Sequence, residues 1–114
     1  MSTKYKPKAD VYNKLKELTG VIVYQLRPEV LEDFPCVVFS IGNDNIMYFL
    51  SHDIAYQDID LDIDIFAETS VETSGLLSDI EYKLRDLGYR LIQSRDVPDP
   101  DLISHVNARF NLSY

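Results

Sequence analysis

Between Gln57 and Glu68 the chain reads QDIDLDIDIFAE, with Asp58, Asp60, Asp62 and Asp64 in strict alternation with Ile59, Leu61, Ile63 and Ile65. A period of two sends successive side chains to opposite faces of an extended strand, whereas a helix would spread the same residues around its circumference. The pattern predicts one long strand over about 54–66, apolar on one face and acidic on the other. Its apolar face must be covered by another layer. A second alternation closes the chain in SHVNARFNLSY: Val106, Ala108, Phe110 and Leu112 point one way, His105, Asn107, Arg109 and Asn111 the other.

The covering layer is legible as two helices. Val11, Leu15 and Leu18 fall at i, i+4 and i+7 between Lys8 and Thr19, and Gly20 suits a left-handed C-terminal cap. Thr69 and Glu72 form a capping-box pattern ahead of Leu77, Ile80, Leu84 and Leu87, with Asp79–Lys83 and Glu81–Arg85 as i,i+4 pairs and Gly88 as the stop. VIVYQL at 21–26, CVVFSI at 36–41 and YRLIQS at 89–94 read as further strands, the second buried on both faces. GNDN at 42–45 is a turn signal, and IMYFL at 46–50 is either a short strand or an apolar-tipped loop. The expected fold is α+β and two-layered: two helices on one face of a mostly antiparallel four- to five-stranded sheet, in the order α-β-β-(β)-α-β-β. Residues 1–114 form a single domain, with 1–7 a flexible basic N-terminal arm.

A formal net charge of −8 argues against gripping phosphate backbones, which takes Lys and Arg that displace counterions. The N-terminus has no apolar stretch behind its basic residues, so no signal peptide and no membrane span are expected, and the protein is expected in the cytoplasm where it is made. Cys36, the only cysteine, sits in an apolar run and reads as a buried hydrophobe. No zinc spacing, phosphate loop or serine elbow is present. The expectation is a protein that is not an enzyme and holds no cofactor.

Residues two apart on a strand lie about 6.6 Å apart, so each neighbouring pair of aspartates repels by about 0.6 kcal/mol in water, and three pairs by at most about 2 kcal/mol. Three readings meet that cost. The stripe is a solvated face offset by cross-strand partners such as Arg90, Arg109 or His105; or a metal site; or a negative wall that faces DNA without holding it. The calcium-loop pattern fails, because the sixth and twelfth residues from Asp58 are Ile63 and Thr69 rather than Gly and Glu. Eight Tyr and five Phe, with Tyr48 and Phe49 beside a polar stretch, are material that interfaces use. A long loop from Gly42 to Asp53 is the expected partner contact, through Asn43, Asp44, Ile46, Met47, Tyr48, Phe49 and His52. A second contact is expected at Asp96, Asp99 and Asp101, in a loop stiffened by Pro98 and Pro100.

The order FPCVVFSI, a loop of about a dozen residues, DLDIDIFAET, the helix SGLLSDIEYKLRDLGY and a closing HVNARFNLSY resembles the tail terminators of long-tailed bacteriophages, also called tail-completion, head–tail joining or minor tail proteins. The resemblance spans about residues 9–114. It implies a non-catalytic virion protein, assembled in the host cytoplasm, that sits as a ring of six copies on the head-proximal end of the tail. That ring ends polymerisation of the major tail tube protein and meets the head-completion or stopper protein of the connector. DNA passes through its centre without specific binding. The family pattern does not say which residues line that channel; Asp58, Asp60, Asp62 and Asp64 as its electrostatic wall, rather than a contact with a neighbouring subunit, is a hypothesis drawn from the stripe itself. A head-completion protein on the connector is one alternative; an acidic inhibitor that imitates DNA is another, although it would want acids on helices as well.

Overall fold

The computed structural model describes residues 7–26, 28, 33–48, 54–99 and 103–113. The elements are α1 (Pro7–Leu15), β1 (Ile22–Tyr24), β2 (Cys36–Tyr48), β3 (Ile54–Ala67), α2 (Ser70–Arg85), β4 (Arg90–Asp96) and β5 (Ser104–Ser113). The five strands make one sheet in the order β1-β2-β3-β5-β4. Every neighbouring pair is antiparallel except β1 and β2, which run parallel. This is the expected α+β fold with two helices and a mostly antiparallel sheet.

The alternation in β3 decides where the core lies. Ile59, Leu61, Ile63 and Ile65 are completely buried, and they join Val11 and Leu15 of α1, Ile80 and Leu84 of α2, and Val106, Ala108, Phe110 and Leu112 of β5 in one cluster. Both helices therefore cover the same face of the sheet. Thr69 caps α2 as its sequence predicts: its hydroxyl accepts from the Glu72 backbone N–H at 3.2 Å, and Glu72 Oε1 lies 3.2 Å from the same hydroxyl. Gly88, at φ 95°, turns the chain after α2. The helices are also tied to each other across their wet side, by Lys83–Glu17 at 3.0 Å and Lys14–Asp86 at 3.2 Å. Lys83 thus reaches the residues after α1 rather than Asp79, while the expected Glu81–Arg85 pair forms at 3.0 Å.

Four expectations are corrected. The GNDN stretch is no turn, because β2 runs on through it and pairs with β3 as far as Tyr48. A register shift between Ile41 and Asn43 absorbs Gly42 as a bulge, and the polar side chains that favour turns find partners on β3 instead. Asn43 Nδ2 donates to Asp60 Oδ2 at 3.1 Å, and Gln57 Nε2 to Asp44 Oδ1 at 2.6 Å. Asn43, Asp44, Ile46, Met47 and Tyr48 are therefore strand residues, not a loop, while Phe49 and His52 lie outside the described residues. Asp96 ends β4 opposite Val106 rather than opening a loop; Asp99 lies in the following coil, and Asp101 is outside the described residues. Pro7 is the buried first residue of α1 and not part of an arm, whereas residues 1–6 fall outside the described set. Finally, α1 is regular only to Leu15, after which Glu17 and Leu18 close tighter turns onto Lys14 and Leu15.

β1 pairs only with Cys36, Val37 and Val38, and β5 reaches only from Ala67 to Asp58 on β3. The far ends of β2 and β3 therefore leave the sheet as a two-stranded ribbon. A strand of 13 residues spans about 43 Å, which accounts for a molecule measuring 53 × 25 × 25 Å.

Candidate functional site

The face of the sheet turned away from the helices is built in rungs. Strand register sets Asn43, Asp60, Asn111 and Arg90 in one row, Ser40, Asp62, Arg109 and Gln93 in the next, and Val38, Asp64, Asn107 and Arg95 in a third. Asp58 lies between Asn45 and Ser113 at the outer end. The structure thus brings all four aspartates of the stripe onto one surface, each half-buried among its neighbours.

Their partners are mostly amides. Asn111 Nδ2 donates to Asp58 Oδ1 at 2.8 Å and to Asp60 Oδ1 at 2.9 Å, and Asn107 Nδ2 to Asp64 Oδ1 at 3.0 Å. His105 Nε2 lies 2.9 Å from the same Asp64 oxygen. One guanidinium is engaged, with Arg109 Nε donating to Asp62 Oδ1 at 3.2 Å. An amide satisfies a carboxylate's hydrogen-bonding capacity and leaves its charge in place. Hydrogen bonds from Asn111 and then Asn43 hold the Asp60 carboxyl below its ordinary value, against a smaller opposing effect of burial. The stripe is therefore fixed in position mainly by neutral donors, with Asp62 the member paired with a guanidinium.

Gly42 shapes the middle of the face. A Cβ there would sit 2.7 Å from Asp62 Oδ2, so glycine leaves the room into which that carboxylate leans toward the β2 edge. On the opposite margin, Arg90 and Arg95 of β4 are exposed and, among the described residues, make no ion pair; they lie two strand spacings, about 9.6 Å, from β3. The surface is thus acidic along its centre and basic along one edge.

The same face is not polar throughout. Cys36, Val38 and Phe66 are buried under Tyr24, Phe34 and Ile103, and the His105 ring stacks on Phe66 at 4.2 Å. Sequence reasoning missed this second small core, although Phe66 follows Asp64 in the even-numbered series and marks where the acid face ends. It also missed the asparagine ladder, since an outward asparagine carries no sign of which carboxylate it will meet. Of the other expected site residues, Asn43 and Asp44 lie within the sheet opposite Asp60 and Ile59, Ile46, Met47 and Tyr48 lie on the projecting ribbon, and Asp96 and Asp99 lie at the end of β4 and after it, away from both. Among the described residues, no group of three or more His, Cys, Asp or Glu is arranged to hold a metal ion. No protein-family model and no curated protein matches this chain significantly.

Proposed function

We propose that this protein is a structural component of a long-tailed phage tail, a terminator that caps the tail tube as a ring and forms the tail side of the head–tail joint. The observation that carries the reading is the row of four carboxylates on an open sheet face, three of them held in line by neutral amide donors that leave their charge in place and one, Asp62, paired with Arg109. A wall of that kind repels a polyanion at every point of its path, and ring symmetry multiplies one stripe into a continuous lining. DNA moving through such a channel meets the carboxylates along the centre of each copy's face, with Arg109, Arg90 and Arg95 confined to the β5 and β4 side of the stripe. The projecting β2–β3 ribbon is the element that reaches the tube protein below, because it extends past the rest of the sheet. The stopper of the connector meets the opposite end, near Asp96 and Asp99. The role is architectural, and no residue is assigned to catalysis.

The test is removal of the gene from the phage genome that this reading requires, followed by electron microscopy of the lysate. Filled heads beside unattached tails, or tubes of unregulated length, are the expected result. Normal infectious virions would overturn the reading.

A further inference from the structure

The sheet has two open edges of unlike character. On one side, β1 stops at Tyr24 opposite Val38, and among the described residues no strand pairs with the outer edge of β2 from Phe39 to Tyr48. On the other, among the described residues, β4 pairs with β5 alone. An unpaired edge is a template for another strand, and natural proteins commonly blunt it with charges or cover it. Among the described residues no strand covers β2 there, and of such devices the open stretch carries a bulge at Gly42 and one charge, Asp44, which accepts from Gln57. The outer rim of β2 on the acid face carries the short residues Ser40, Gly42, Asn43 and Asn45; Asn43 is bonded to Asp60, and Gly42 leaves Asp62 open toward the edge. A small cleft lined by Lys8 of α1 and by Gln25, Leu26, Phe39, Ser40 and Ile41 lies where β1 ends, with Leu26 73% exposed.

We infer that the open edge of β2 receives the β4 edge of a second copy of this chain. Charge selects that pairing over the two self-complementary ones. Joining β2 to β2 would bring two acid stripes together, and joining β4 to β4 would oppose Arg90 and Arg95 to themselves. Joining β4 to β2 lays those arginines on the same face as the neighbour's stripe, two strand spacings from Asp60 and Asp62, with only Ser40, Gly42 and Asn43 between. Asp62 Oδ2, which leans over Gly42, faces that approach. Lengths match as well, since β4 has seven residues and the open part of β2 has ten. Direction follows from topology. Three antiparallel steps separate β2 from β4 within the chain, so continuing the sheet about an axis along the strands makes the new pair antiparallel. Each copy uses each edge once, so the contact is head-to-tail and closes into a ring if the rotation per copy allows. Ring closure rests on the function proposed above; the edge contact does not.

Sedimentation velocity and native mass spectrometry of the purified full chain at about 0.15 M salt test the contact without any phage. The wild type is expected to associate with rising concentration. R90E/R95E on one edge and S40K/N43K on the other are each expected to weaken association at least tenfold while keeping the wild-type circular dichroism. Mixing the two variants pairs Arg with the native acid edge and Glu with the new Lys edge, so the mixture is expected to regain assembly in even-numbered species. Unchanged association of either variant alone would overturn the head-to-tail pairing in favour of a self-complementary one. A wild-type chain that stays monomeric to its solubility limit would overturn the inference outright. If phage lacking the gene were normal but the mixture assembled, the function would fall and the contact would stand.

Discussion

Asn111 holds two carboxylates with one amide, and that economy makes the acid face possible. A cation in its place would have satisfied Asp58 and Asp60 and cancelled part of their charge; an apolar residue would have left them to repel across a short gap without help. Because Asn111 is the foremost cause of the low Asp60 carboxyl and Asn43 the next, Asn111→Ala is expected to raise the Asp60 pKa toward the ordinary carboxylate value, read by following its side-chain carbon in an NMR pH titration. The sign in stability follows. A carboxyl whose folded value is depressed contributes stability that is present above its unfolded value and is lost as pH falls through the lower folded one. In Asn111→Ala that contribution shrinks, so the difference in stability between wild type and variant should narrow as pH falls below about 4. An Asp60 titration unmoved by the substitution would show that the amide positions the carboxylate without favouring its ionised form.

At the scale of the element, β3 carries one residue parity into the core and the other into the acid face, and the two parities should respond differently to the same change. Ile63→Ala removes a completely buried side chain and is expected to cost about 2–5 kcal/mol in urea denaturation. Asp62→Ala removes a half-buried carboxylate with one partly exposed guanidinium partner and relieves repulsion from both neighbours, so it should change stability by less than about 1 kcal/mol. Equal losses at the two positions would mean that the acid face is as tightly packed as the core. This parity was legible in the sequence because period two is a local property. So were both helix stripes, the Thr69 cap and the outward residues of β5. What was illegible is non-local. Gly42, Asn43, Asp44 and Asn45 are turn formers by composition, and only the facing Asp60 and Gln57 make them strand residues. That β1 lies parallel to β2, or that Lys83 reaches Glu17 before Asp79, depends on chain brought from far away. The arginines of β4 were legible as cations, but their position as a margin of the acid face needed the register through β5.

At the scale of the molecule, four of the nineteen acidic residues of a chain with net charge −8 stand in line along one strand of a long hairpin. Neighbouring aspartates about 6.6 Å apart lie within the screening length of about 10 Å at 0.1 M salt, so moderate salt leaves much of their repulsion in place. Near 1 M the screening length falls to about 3 Å and most of it is removed. The protein is therefore expected to gain stability with sodium chloride at pH 7, by up to the roughly 2 kcal/mol that three neighbouring pairs cost in water. The same gain should be reduced in D58N/D60N, which eliminates two of the three repulsions while keeping oxygen acceptors for Asn111 and Asn43. Urea midpoints across a salt series, wild type against variant, measure this directly. Identical salt slopes would place the charge cost elsewhere on the molecule, and the carboxylate row would then be a face already relaxed by its own hydrogen bonds. A steeper wild-type slope would show that the folded chain keeps a standing repulsion along β3, the property that a surface facing a polyanion requires.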